Sequence, residues 1–300
     1  MPDRYPLSSS RMADLSEQLR NQAEAYAKAR LARGVDDDNF DVAAASEALA
    51  KTQNSGAVEL NWRKDTVGDV PVFRSAHQPG PMVLYIHGGG FVGGNWASHA
   101  HICDHLCRVV GAEGIFVEYR LAPEHPFPAA FLDVEAVFRA MPEDRPILLA
   151  GDSVGGALSM YLARLDREND SQRIRAVALM APMLDFNATT SHYMRNYGRA
   201  RSMIAKALSQ EQVSDPRLDI IDRVGEGLPP TLIQTGGADY VQDDGHRLCR
   251  AMLDANCTVV VEHWPHMPHV WHRYTPDAPE AYNAVARAGH FLRDYIGQHA

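Results

Sequence analysis

Gly151-Asp152-Ser153-Val154-Gly155, followed by Gly156, stands between the apolar run Ile147 to Ala150 and a segment of helical periodicity. A strand, a G-x-S-x-G turn and a helix, in that order, hold a serine hydroxyl out of the backbone as a nucleophile. The demand is steric: Ser153 must sit in a strained turn, and only glycine at 151 and 155 lets neighbouring backbone crowd against it. The helix that begins there aims its free N–H groups at a reacting carbonyl. His87-Gly88-Gly89-Gly90 follows a second apolar run, Met82 to Ile86, and fits a loop whose N–H groups receive a developing alkoxide. Gly88 and Gly89 are the favoured donors, with Gly90 beside them and the N–H of Val154 opposite. His87 is expected to hold this loop by hydrogen bonds.

A serine hydroxyl becomes nucleophilic when a base takes its proton, and the base needs a carboxylate to fix its tautomer. Asp239 ends Gly236-Gly237-Ala238-Asp239, directly after the apolar run Thr231 to Thr235. Asp243 and Asp244 read instead as capping and first-turn carboxylates of the next helix. Among His263, His266, His269 and His272, the expected base is His269, on a loop long enough to reach back over the sheet. Their spacing also resembles a metal cluster, but Pro265 and Pro268 break any helix that could align the rings, so no metal is expected. His99, His101 and His105 are read as partly solvated, structural residues.

These groups need a scaffold. Short apolar runs at Met82 to Ile86, Ile115 to Val117, Ile147 to Ala150, Ala176 to Met180, Thr231 to Thr235 and Thr258 to Val261 alternate with helical patterns. That alternation predicts an α/β fold with a mostly parallel sheet. Val58 to Trp62 and Val70 to Phe73 add an antiparallel leading pair, making eight strands in one domain over residues 1–300. Two segments break the pattern. One is the N-terminal stretch, about 1–45, where Met12, Leu15, Leu19, Ala23 and Tyr26 share a helix face; the other is about 185–228. Both are expected to cap the site, and Trp96, Tyr193, Met194 and Tyr197 are the expected pocket residues.

Composition narrows the partners. A net charge of −9 disfavours nucleic acid or an anionic membrane. No run is long enough to span a bilayer, and the charged start lacks a secretory core. Cys103, Cys107, Cys249 and Cys257 show no metal spacing and sit in apolar surroundings, so free thiols and a cytoplasmic location are expected.

Together the motifs resemble the hormone-sensitive-lipase-like branch of the α/β-hydrolases, the bacterial family IV carboxylesterases marked by HGGG and GDSxGG. Glu118-Tyr119-Arg120-Leu121-Ala122-Pro123-Glu124, then Pro126-Phe127-Pro128-Ala129-Ala130 and Asp133, is similar to that branch's structural signature. Gly227-Leu228-Pro229-Pro230 matches the turn before the acid-bearing strand. The resemblance implies the order serine, acid, histidine, an N-terminal cap, no cofactor, a small ester substrate of short to medium acyl chain, and a monomer or homodimer. Asp239-Tyr240-Val241 departs from the branch's common Asp-Pro-Leu, and His269-Val270-Trp271 from His-Gly-Phe. An amidase, formamidase or carbamate hydrolase would use the same triad. A non-catalytic receptor on this scaffold, as in the plant gibberellin receptors, would lack the histidine that stands here at 269.

Overall fold

The apolar runs are buried because each lies in the interior of one twisted sheet. The computed structural model describes residues 60–76, 78–186, 204–209, 211–275 and 277–297, together with Glu17. Within them the strands are β1 (Trp62–Val67), β2 (Val70–Ser75), β3 (Met82–Ile86), β4 (Glu113–Val117), β5 (Ile147–Asp152), β6 (Ile174–Met180), β7 (Thr231–Gly236) and β8 (Val259–Trp264). They form an eight-stranded sheet in the order β1-β2-β4-β3-β5-β6-β7-β8. β2 pairs antiparallel with both β1 and β4, and every pairing from β4 to β8 is parallel. β3, β4 and β5 are buried along their whole length, as strands covered on both faces must be.

The first leading strand lies further along the chain than Val58 to Trp62. Gly68 and Asp69 both adopt positive φ, the conformation of a tight two-residue hairpin, and the register Val67↔Val70 to Trp62↔Ser75 follows from that turn. Its sequence, WRKDTV, is polar because half of this edge strand faces water, so no apolar run marks it.

Helices α1 (Trp96–Val110) and α5 (Pro279–Asp294) cover one face, and α2 (Ala129–Ala140), α3 (Val154–Glu168) and α4 (Gln242–Asp254) the other. Asn95 caps α1 reciprocally with Ser98, and Gly111 ends it in the left-handed conformation. Of the segment 185–228, Ile204, Ala207, Leu208, Leu218, Ile220 and Leu228 are buried in the core that contains α2 and α3. Arg164 of α3 anchors it through the carbonyls of Pro216 and Asp219. Residues 1–16 and 18–45 of the N-terminal stretch, with Tyr193, Met194 and Tyr197, lie outside the described residues. Among the described residues no helix is long and apolar enough to cross a membrane.

Candidate active site

Parallel strands deliver their carboxyl ends to one side of the sheet, and the loops that carry His87 to Gly90, Ser153, Asp239 and His269 leave from there. β5 ends at Asp152 and α3 begins at Val154, so Ser153 alone makes the turn, with φ 51° and ψ −122°. For a residue with a Cβ this conformation costs about 1–3 kcal/mol. Surrounding hydrogen bonds impose it: the Ser153 N–H donates to Met180 O at 3.1 Å, and Ser153 O accepts from the N–H groups of Gly156 and Met183, both at 3.0 Å. Gly155 is required by close approach, since a Cβ there would stand 2.0 Å from Ile86 O.

His269, on the loop after β8, reaches the turn from the other side. Its Nε2 lies 2.9 Å from Ser153 Oγ. Its Nδ1 lies 3.0 and 3.1 Å from the two oxygens of Asp239, whose carboxylate is fully buried. Two backbone hydrogen bonds zip the loops together: Gly237 N–H to Trp264 O at 2.9 Å, and Ala238 N–H to Met267 O at 3.1 Å. Asp239 Oδ1 also accepts from Val241 N–H at 3.0 Å, and the Tyr240 ring packs 4.5 Å from that of His269. The other three histidines go elsewhere. His263 meets Thr235 Oγ1 through Nδ1 at 3.2 Å, His266 is exposed in a positive-φ turn, and His272 is buried with Nε2 2.9 Å from Gln234 Oε1. Burial lowers the His272 pKa to about 3, so that ring stays neutral. Among the described residues no group of three or more His, Cys, Asp or Glu is placed to hold a metal ion.

The glycine loop after β3 lies directly against the serine. A Cβ on Gly88 would stand 2.9 Å from that of Ser153 and 2.3 Å from Asp152 Oδ2, so only glycine permits the approach. Gly89 and Gly90 turn the chain at φ 123° and 64°. Across from them Val154 is the first residue of α3, and its N–H has no acceptor within the helix. His87 holds the loop: its Nδ1 donates to Gly88 O at 2.8 Å, and burial lowers its pKa to about 3, which leaves it neutral. Tyr119 stacks on His87 at 4.2 Å and donates its hydroxyl to His87 O at 2.8 Å. Ala122 N–H donates to Phe91 O, and Arg120 grips Asp133 through its backbone N–H and two guanidinium nitrogens. The Tyr119 to Asp133 signature is thus the brace of the glycine loop.

Two expectations need correction. Trp96 belongs to the scaffold: its ring stacks on Phe73 at 4.7 Å and packs on Trp62 and Phe116, at the antiparallel side of the sheet. The start of α1 turns the ring toward β1, β2 and β4. His99 is 1% exposed rather than partly solvated, with Nε2 3.3 Å from Asp152 Oδ2. Tyr85, which donates to Asp152 Oδ1 at 2.8 Å, gave no sign of this role, since tyrosine is an ordinary strand residue.

Residues 83–273 match the family model described as the alpha/beta hydrolase fold. The chain belongs to that family. The hydrolase is 35% identical to an "Acetyl-hydrolase" of Streptomyces hygroscopicus over 75% of its own length and 79% of the relative's. It is 30% identical to "Carboxylesterase/phospholipase LipF" of Mycobacterium tuberculosis (strain ATCC 25618 / H37Rv), over 75% of its own length and 65% of that protein's. Among solved structures it is similar to "an esterase from the bacterial hormone-sensitive lipase (HSL) family", with a TM-score of 0.79 and 28% identity over 97% of this hydrolase and 100% of that chain. The hydrolase is a member of the hormone-sensitive-lipase-like branch.

Proposed function

We propose that the hydrolase cleaves carboxylic esters of short to medium acyl chain through an acyl-enzyme on Ser153. That it is a carboxylic ester hydrolase follows from its family and its esterase relatives. The identity of the site residues is supported above all by one observation: an unbroken hydrogen-bonded path from Ser153 Oγ through both nitrogens of His269 to buried Asp239.

His269 Nε2 takes the Oγ proton as Oγ bonds to the acyl carbon and the carbonyl π electrons move to oxygen. The N–H groups of Gly88, Gly89 and Val154, with Gly90 adjacent, receive that oxyanion. Collapse expels the alcohol, which leaves with the proton from Nε2. A water then gives a proton to the same nitrogen as it attacks the acyl carbon; collapse breaks the bond to Ser153 Oγ, which takes the proton back from Nε2 as the acid leaves. Asp239 keeps the other ring proton on Nδ1 and stabilises the imidazolium. The short-chain preference draws on the name of the acetyl-hydrolase relative. Tyr193, Met194 and Tyr197 complete the pocket in this reading. The free cysteines, three of them buried, fit a reducing compartment such as the cytoplasm, and either a monomer or a homodimer serves the mechanism.

Purified protein assayed on p-nitrophenyl esters from acetate to laurate, beside Ser153→Ala, tests this. The expected result is turnover that declines toward long chains and is abolished in the variant. Undiminished activity in Ser153→Ala, or none in the wild type, overturns it.

A further inference from the structure

Asp152 immediately precedes the nucleophile, is 1% exposed, and takes no part in the Ser153–His269–Asp239 path. Its two oxygens instead hold the two ends of the glycine loop. Oδ1 accepts from the hydroxyl of Tyr85, on β3 just before His87. Oδ2 faces Nε2 of His99, in the first turn of α1 just after the loop closes. The His99 ring is itself oriented, with Nδ1 2.8 Å from Ser98 Oγ, and Ser98 belongs to the reciprocal cap with Asn95. The same Oδ2 lies where a Cβ of Gly88 would be 2.3 Å away. Burial alone would raise the Asp152 carboxyl, but the His99 charge and hydrogen bond, with the Tyr85 hydroxyl, outweigh it and hold the group well below the usual carboxylate range.

A buried polar contact of this kind adds little net stability over apolar packing. What it supplies here is a fixed distance. Val154 follows Asp152 by two residues, and Gly88 follows Tyr85 by three, so one carboxylate ties together the chain segments that carry opposing N–H groups. We propose that Asp152, gripped by Tyr85 and His99, sets the separation between the two halves of the oxyanion hole, making all three positioning residues for ester hydrolysis. The proposal rests on the reading of Ser153 as nucleophile.

The test compares Tyr85→Phe, His99→Gln and Asp152→Asn with wild type, with kcat expressed per site titrated by a fluorophosphonate, and adds the affinity of an aryl trifluoromethyl ketone. Serine addition to that ketone places an oxyanion in the hole without a leaving group. Tyr85→Phe keeps the ring that stacks on Phe116 at 5.8 Å and removes only the O–H, so it guards against a variant that fails to fold. Expected are losses in kcat of about tenfold for Tyr85→Phe and about a hundredfold for Asp152→Asn, with KM within about twofold. Ketone affinity should fall in the same proportion, and Tyr85→Phe should cost nothing further in the Asp152→Asn background. Wild-type kcat per titrated site in Tyr85→Phe and His99→Gln, or kcat losses with unchanged ketone affinity, overturns the proposal while leaving the nucleophile reading intact. A wild type that neither labels nor turns over esters overturns the nucleophile reading, and this proposal with it.

Discussion

The two flanks of Ser153 are built by different means. On the flank of β3, β5 and α3, backbone presses on backbone: Gly155 lies against Ile86 O and Gly88 against Asp152. On the flank of β7 and β8, two loops meet through a few directed hydrogen bonds, Gly237 to Trp264, Ala238 to Met267, and His269 to Asp239. Close packing tolerates almost no added atom, whereas a hydrogen-bonded pair tolerates changes of shape but not of proton inventory. An atom added at a glycine of the first flank should therefore disturb folding, and loss of a hydrogen-bonding group on the second should disturb chemistry.

The largest effect expected is on the second flank. His269→Ala should reduce kcat/KM by about 10⁵-fold, since among the described residues no other base reaches Ser153 Oγ, while the thermal midpoint stays near wild type. Asp239→Asn should cost about 10³- to 10⁴-fold, because an amide can reverse the imidazole tautomer without altering its position. Steady-state kinetics beside a thermal melt checks both; a variant that loses its fold along with its activity would erase the contrast between the flanks.

Asp244, in the first turn of α4, sharpens the comparison through pH. Its Oδ2 accepts from the N–H groups of Leu184 and Asp185, yet burial raises its pKa to about 7. The folded chain keeps this proton where the unfolded chain has lost it, so stability attributable to Asp244 is full below about pH 4 and declines as pH rises to about 7. The decline amounts to at most about 4 kcal/mol. Denaturant titrations across that range should show the decline in wild type and a shallower one in Asp244→Asn; parallel curves would contradict it.

Gly155→Ala probes the first flank. A methyl group 2.0 Å from Ile86 O forces β3 and α3 apart, and a stability loss of about 3 kcal/mol is expected by chemical denaturation. The smallest effect belongs to Trp96→Phe. With its ring packed on Phe73 and Phe116, KM for short esters should move less than about twofold; a large rise would restore Trp96 to the pocket.

The same contrast explains what could be read from the sequence. Steric demands leave glycines behind, so Gly151 to Gly156 and His87 to Gly90 were legible in place, as were β3 to β7 from the short apolar stretches within them. Asp239 and His269 were legible only by their position after strands, because a carboxylate or imidazole looks alike in any loop. β1 was misplaced, since a polar edge strand held by a Gly68-Asp69 turn has no apolar run to show. His99 was misread and Tyr85 passed over because their shared partner, Asp152, lies 53 and 67 residues away, and only the β3–β5 pairing and the start of α1 bring them to it.

The central claim is that Ser153 carries the acyl group. Mixing the enzyme with a stoichiometric p-nitrophenyl ester, quenching in acid within the first turnover, and reading the intact mass followed by peptide mapping, tests it directly. The account predicts one acyl adduct per chain, located on Ser153 and absent from Ser153→Ala. An adduct on another residue, or turnover with no adduct and no effect of the substitution, would contradict it.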